Sequence, residues 1–100
     1  MPGFVQIMEF DTSRIEEVDA LARRMREERG DDFLAVRSTI TEDRERRGHY
    51  YVVVEFDSYE EAMKNSEDPA TGKFSAMMTE LLDGAPTFHN LDVVSVMEGR

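Results

Sequence analysis

Apolar residues recur along this chain with a strand-like period in some runs and a helix-like period in others, and the switches divide it into six elements. The first run, Gly3-Phe4-Val5-Gln6-Ile7-Met8-Glu9-Phe10, is short, rich in β-formers and free of breakers, which predicts a strand. Ser13, with Glu16 three positions on, then has the capping-box signature of a helix start. Ile15, Val18, Leu21, Ala22 and Met25 follow at helical spacing on one face, with Arg14, Glu17, Arg24 and Glu28 opposite and Gly30 as the stop. From Leu34 to Thr41 the pattern alternates: Leu34, Val36 and Ile40 against Arg37, Thr39 and Thr41, a half-buried strand. The charged run Glu42 to Gly48 makes a hairpin connection. His49 to Phe56 follows as the strand richest in β-formers.

Ser58 with Glu61 repeats the capping box and starts a second helix, with Tyr59, Ala62 and Met63 facing in. Pro69 lacks a donor and disfavours helical backbone before it, so this helix breaks across Asn65 to Pro69. The polar residues there predict a break held by few buried contacts. A second piece resumes near Ala70, with Phe74, Met77, Met78, Leu81 and Leu82 on one face; Gly84 and Pro86 end it. Phe88 to Met97 reads as the last strand. The order β-α-β-β-α-β, joined by right-handed crossovers, gives one α+β domain over residues 1–100 with the ferredoxin-like plan. Its four-stranded antiparallel sheet carries both helices on one face.

The other face should read polar at alternate positions if water covers it. It does not. Strand three sets Tyr50, Val52, Val54 and Phe56 on one side but Tyr51 and Val53 on the other. Strand one opposes Phe4, Met8 and Phe10 to Val5 and Ile7, and the last strand opposes Leu91 and Val93 to Val94 and Val96. No segment remains to cover a second apolar face. A two-fold-related copy of the same sheet is the economical cover, which predicts a homodimer.

Charge narrows the partners. Twenty-two acidic side chains against twelve basic ones leave a formal net charge of −10, which repels phosphate backbones and anionic lipid. No strand has an aromatic and basic face for nucleic acid, and no apolar run approaches a membrane span. The first residues lead straight into a strand with no signal-like run before it. The lack of cysteine removes disulfides and thiolate chemistry and fits a cytoplasmic protein.

The stretch Tyr51-Val52-Val53-Val54-Glu55-Phe56-Asp57-Ser58-Tyr59-Glu60-Glu61-Ala62 resembles the dimeric α/β-barrel superfamily, and so do the broken second helix with Asn65 and Pro69 and the tail from Phe88 to Val94. Within it, the chain looks most like antibiotic-biosynthesis-monooxygenase-type proteins. The resemblance implies a ferredoxin-like chain paired as a dimeric α/β barrel, with its ligand cavity between the sheet and the broken helix. Members include cofactor-free oxygenases of aromatic polyketides and quinols, haem-degrading enzymes and isomerases, so the resemblance narrows fold more than function. Catalytic members commonly have a tryptophan at the end of strand three, where this chain has Phe56, and it has no tryptophan at all. They often have a histidine just after the proline, where this chain has Ala70. The haem branch's asparagine, histidine and tryptophan find no match.

His49 and His89 are the only imidazoles. Their strands are expected to run parallel on either side of strand one, roughly 10 Å apart, too far to converge on one metal. No glycine-rich phosphate loop or metal-ligand spacing is present, so no cofactor or metal is expected. His89 is the candidate base, since imidazole alone titrates near neutrality. Met63, Met77 and Met78 are flexible thioethers of the kind that fill irregular cores or line adaptable pockets. The candidate ligand-binding set is Tyr50, Asn65, Phe74, Met77 and Met78; Asn65 also reads as a helix cap and Tyr50 as core. The function expected is a dimer binding a small apolar or aromatic molecule between sheet and helices, with cofactor-independent monooxygenation or isomerisation as the implied chemistry. The alternative is a non-catalytic dimeric binding or accessory module.

Overall fold

The two runs richest in β-formers pair at the centre of the structure, a computed structural model that describes residues 3–99. β1 (Phe4–Asp11) lies antiparallel to β3 (His49–Phe56), with Phe4 opposite Phe56 and Asp11 opposite His49. β2 (Arg37–Glu42) joins the outer edge of β3 and β4 (Thr87–Asp92) that of β1, giving the order β2-β3-β1-β4. α1 (Ile15–Arg29) links β1 to β2; α2 (Tyr59–Glu67) and α3 (Pro69–Thr79) link β3 to β4. This is the ferredoxin-like α+β plan. Among the described residues no helix is long and apolar enough to cross a membrane.

Alternation along the strands sends one set of side chains to the helices. Phe10, Tyr50 and Val52 pack with Val18 of α1 and Met78 of α3, while Phe4 and Phe56 pack with Ala62 of α2. Val18 and Phe56 are the most deeply buried, and burying such side chains contributes about 1.5–3 kcal/mol each. Tyr59 is half exposed rather than facing in, its ring edge-on to Phe4 at 5.4 Å.

Several boundaries differ from the sequence pattern. The strand expected from Leu34 begins at Arg37, because a 3-10 turn (Gly30–Asp32) and irregular residues 33–36 carry the chain to the sheet edge. The strand expected to run to Met97 stops at Asp92. Its register sets Asp92 opposite Phe4, the first residue of β1, and among the described residues the last bond between them runs from the Val93 amide to the Gly3 carbonyl. Val94 and Met97 are almost fully exposed.

The caps divide as well. Ser58 accepts a hydrogen bond from the Glu61 amide, and Gly30 closes α1 at φ +51°, a conformation that favours glycine. Ser13, by contrast, caps nothing. Thr12, buried, donates its hydroxyl to the Leu81 carbonyl at 2.6 Å and accepts from the Arg14 amide, taking over the approach to α1. Ser58→Ala is therefore expected to lower stability by about 1 kcal/mol. Ser13→Ala should change it by only a few tenths in the same urea titration. At the helix break Asp68 accepts from the Ala70 amide and Pro69 takes the first position of α3, where its missing donor is no loss.

Candidate functional site

Above the sheet, α1 and α3 leave a cleft of about 970 Å³. Met8, Ile40 and Val54 supply an apolar floor, and Ala22 of α1 and Phe74 of α3 supply the walls, over the buried Val18, Val52 and Met78. Gln6, Ser38, Asn65 and Thr71 add uncharged polar groups, whereas the charged lining residues of α1, Glu16, Asp19, Arg23, Arg26 and Glu27, include no histidine. An apolar cavity of several hundred Å³ with few polar groups is the usual shape of a small-molecule site.

Of the six residues singled out from the sequence, the structure brings Asn65, Phe74 and Met78 together on this cleft. It places the other three elsewhere. Met77 projects from the outer flank of α3 and is 45% exposed, because the inward stripe runs through Phe74, Met78 and Leu81. Tyr50 is core: its ring stacks on Phe10 at 6.0 Å, and burial, then Glu42, pushes its phenol above the ordinary range. His89 pairs with Ile7 across the β1–β4 ladder and so points to the helix-free face, on the far side of the sheet from the cleft.

Asn65 is positioned by a residue that the sequence pattern passed over. The Arg29 side chain, 6% exposed, reaches from the end of α1 to the helix break. It donates to Asn65 Oδ1 at 3.0 Å, Thr71 Oγ1 at 2.6 Å, Asp68 Oδ2 at 3.1 Å and the Asp32 carbonyl at 3.2 Å. The break is thus clamped by a buried guanidinium, contrary to the loosely held segment that its polar composition predicts. With Oδ1 engaged, the Asn65 side chain is held in place at the lining of the cleft.

The helix-free face carries a second constellation. His49 lies between two carboxylates, Nδ1 2.8 Å from Asp11 Oδ1 and Nε2 2.8 Å from Glu9 Oε2, and His89 Nε2 lies 2.9 Å from Glu9 Oε1. A neutral imidazole has one donor, so two ionised carboxylates require the imidazolium. Asp11 and then Glu9 accordingly hold the His49 pKa above its ordinary range. His89 and then His49 hold Glu9 below the ordinary carboxylate range. Glu9 bridges the two histidines. Among the described residues no group of three or more metal-ligating side chains is arranged to hold a metal ion. The signal missed in the sequence is the pair Glu9 and Asp11, two apart at the end of a strand and so on one face.

No family model matches the chain, and no curated protein matches it in sequence. Solved structures do match in fold. A cofactor-independent oxygenase from Streptomyces nogalater, SnoaB, superposes with a TM-score of 0.78 over 97% of this chain and 98% of its own, at 10% identity. A putative antibiotic biosynthesis monooxygenase from Deinococcus radiodurans superposes with a TM-score of 0.74 over 95% of this chain and 96% of its own, at 9% identity. A conserved protein from Methanosarcina mazei Go1 gives 0.76 over 92% and 93%, at 11% identity. The chain has the ferredoxin-like fold of antibiotic-biosynthesis-monooxygenase-like structures.

Proposed function

We propose that this protein works as a homodimer, paired through its helix-free sheet faces, and binds a small apolar or aromatic molecule in the cleft between α1, α3 and the sheet. The observation that carries the binding reading is the cleft itself, with an apolar floor and an asparagine oriented by the buried Arg29. The fold shared with a structure described as a cofactor-independent oxygenase supports cofactor-independent oxygenation of the bound molecule as the chemistry. Such chemistry needs a base at the bound molecule. One observation favours the second reading, binding without turnover: both imidazoles are hydrogen-bonded on the opposite face of the sheet.

A panel of bicyclic and tricyclic phenols and quinols, screened by native mass spectrometry and followed by calorimetric titration, tests the binding. Val54→Trp fills the cleft floor and should weaken affinity by at least about tenfold, the loss of one well-buried contact. His89→Ala should leave affinity unchanged. An oxygen electrode separates the two readings, since only oxygenation consumes O₂ with the bound compound. Equal affinity in wild type and Val54→Trp, or no saturable binding across the panel, contradicts the cleft as the site.

A further inference from the structure

The helix-free face is close to electrically neutral, although the chain carries a formal net charge of −10. Its carboxylates are Glu9 and Asp11 on β1, Asp43 from the hairpin and Glu55 on β3; its cations are Arg37 on β2, Arg46 from the hairpin and the His49 imidazolium. Four carboxylates against three cations leave a single negative charge, so most of the excess lies on the rest of the surface. A second copy of so acidic a chain meets least repulsion at this face. Between the ion pairs lie Val5, Ile7, Tyr51 and Val53, all half-buried.

We propose that the Glu9–Asp11–His49 cluster makes the pairing of two copies through this face depend on pH, firm near neutrality and lost as the solution turns alkaline. The inference rests on the dimer put forward above and adds a control to it. With carboxylates at both ring nitrogens, loss of the His49 proton leaves an acceptor facing an acceptor and one negative charge uncompensated. In a pair this happens in both copies. The opposing sheet also withdraws Glu9, Asp11 and His49 from the water that would otherwise solvate them, so the paired state holds the proton more tightly than the single chain does.

The groups facing His49 act in a consistent sense. From β1, Asp11 and Glu9 favour the cation; from the hairpin, Arg46 opposes it. On β4, His89 shares Glu9, and on β3 itself the Tyr51 ring stands edge-on at 5.1 Å. Burial, with Glu9 and Asp43 nearby, pushes the Tyr51 phenol up, away from the range in question. The raised His49 group contributes fully below its unfolded pKa of about 6.5 and is lost as pH rises through its folded value. The lowered Glu9 group contributes above the ordinary carboxylate range and is lost as pH falls through its folded value. For pairing the single chain takes the place of the unfolded one: because the opposing sheet makes the paired state hold the His49 proton more tightly, pairing is firmest around neutral pH and His49 sets the alkaline limit.

Sedimentation equilibrium of the full chain from about pH 7 to about pH 9.5 reads this directly, with far-UV circular dichroism confirming a folded chain at each pH. The wild-type dimer Kd should rise by at least about tenfold over that range, because protons leave both copies. A variant carrying Glu9→Gln and Asp11→Asn should show a Kd flat to within about twofold, since no carboxylate is left for His49 to neutralise. A wild-type dimer whose Kd does not move with pH overturns the inference and leaves the dimer standing. An equal rise in the double variant also overturns it, by pointing to general charge repulsion. A wild type that stays monomeric throughout removes the dimer and this control together.

Discussion

Replacing Arg29 with methionine is expected to lower the unfolding free energy by about 2–3 kcal/mol, read from urea titration. Methionine keeps an apolar stem of similar reach but none of the donors. Asn65, Thr71 and the Asp32 carbonyl then lose a charged partner in a site where the arginine side chain is only 6% exposed. Breaking a fully buried ion pair costs about 3–5 kcal/mol, and the loss here should be smaller because the Asp68 side chain is 38% exposed and can rehydrate. Lysine should rescue little, since a point charge does not match several acceptors held by a planar fork. Amide exchange in residues 65–71 should speed up more than in the first turns of α1, because the clamp joins the two segments only at the end of that helix. A change under about 0.5 kcal/mol, the range of ordinary surface substitutions, would show that the clamp holds nothing.

Val53→Asp is expected to abolish dimer formation. Val53 lies at the centre of the helix-free face, paired with Ile7 on one side and Thr39 on the other. A stable pairing there should bury about 1,200–2,000 Å² in total. A two-fold axis brings the substituted position in twice, so two carboxylates enter an interface that otherwise nearly balances its charges. Desolvating them should weaken association by about 4 kcal/mol or more, roughly a thousandfold in Kd. The variant should sediment as a folded monomer or aggregate through its exposed face. Ala20→Asp, on the exposed side of α1, should leave the dimer intact. Wild-type protein that sediments as a monomer at micromolar concentration, or an unchanged Val53→Asp dimer, sinks the pairing.

Short-range chemistry was enough to determine the elements of this protein. Alternating β-formers at 4–10 and 49–56 made strands, the Ser58 hydroxyl made a helix start, Gly30 made a stop, and Pro69 made a break, each through contacts within a few residues. The same alternation legibly sorted Tyr50 and Val52 from Tyr51 and Val53. What an element's own residues do not contain is the identity of its neighbours. Thr12 displaced Ser13 as the approach to α1 because Leu81, far along the chain, came within hydrogen-bond reach of its hydroxyl. β4 ended at Asp92 because that residue stands opposite Phe4, where β1 itself begins. Of the candidate site, Asn65, Phe74 and Met78 were legible because a helical stripe and a proline break are local features. Arg29 was not, since its partners Asn65, Asp68 and Thr71 lie 36 to 42 positions away. His89 shows the division most plainly: its own sequence context fits either face of the sheet, and only the register with Ile7, set by pairing two strands at opposite ends of the chain, put it beside Glu9 and away from the cleft.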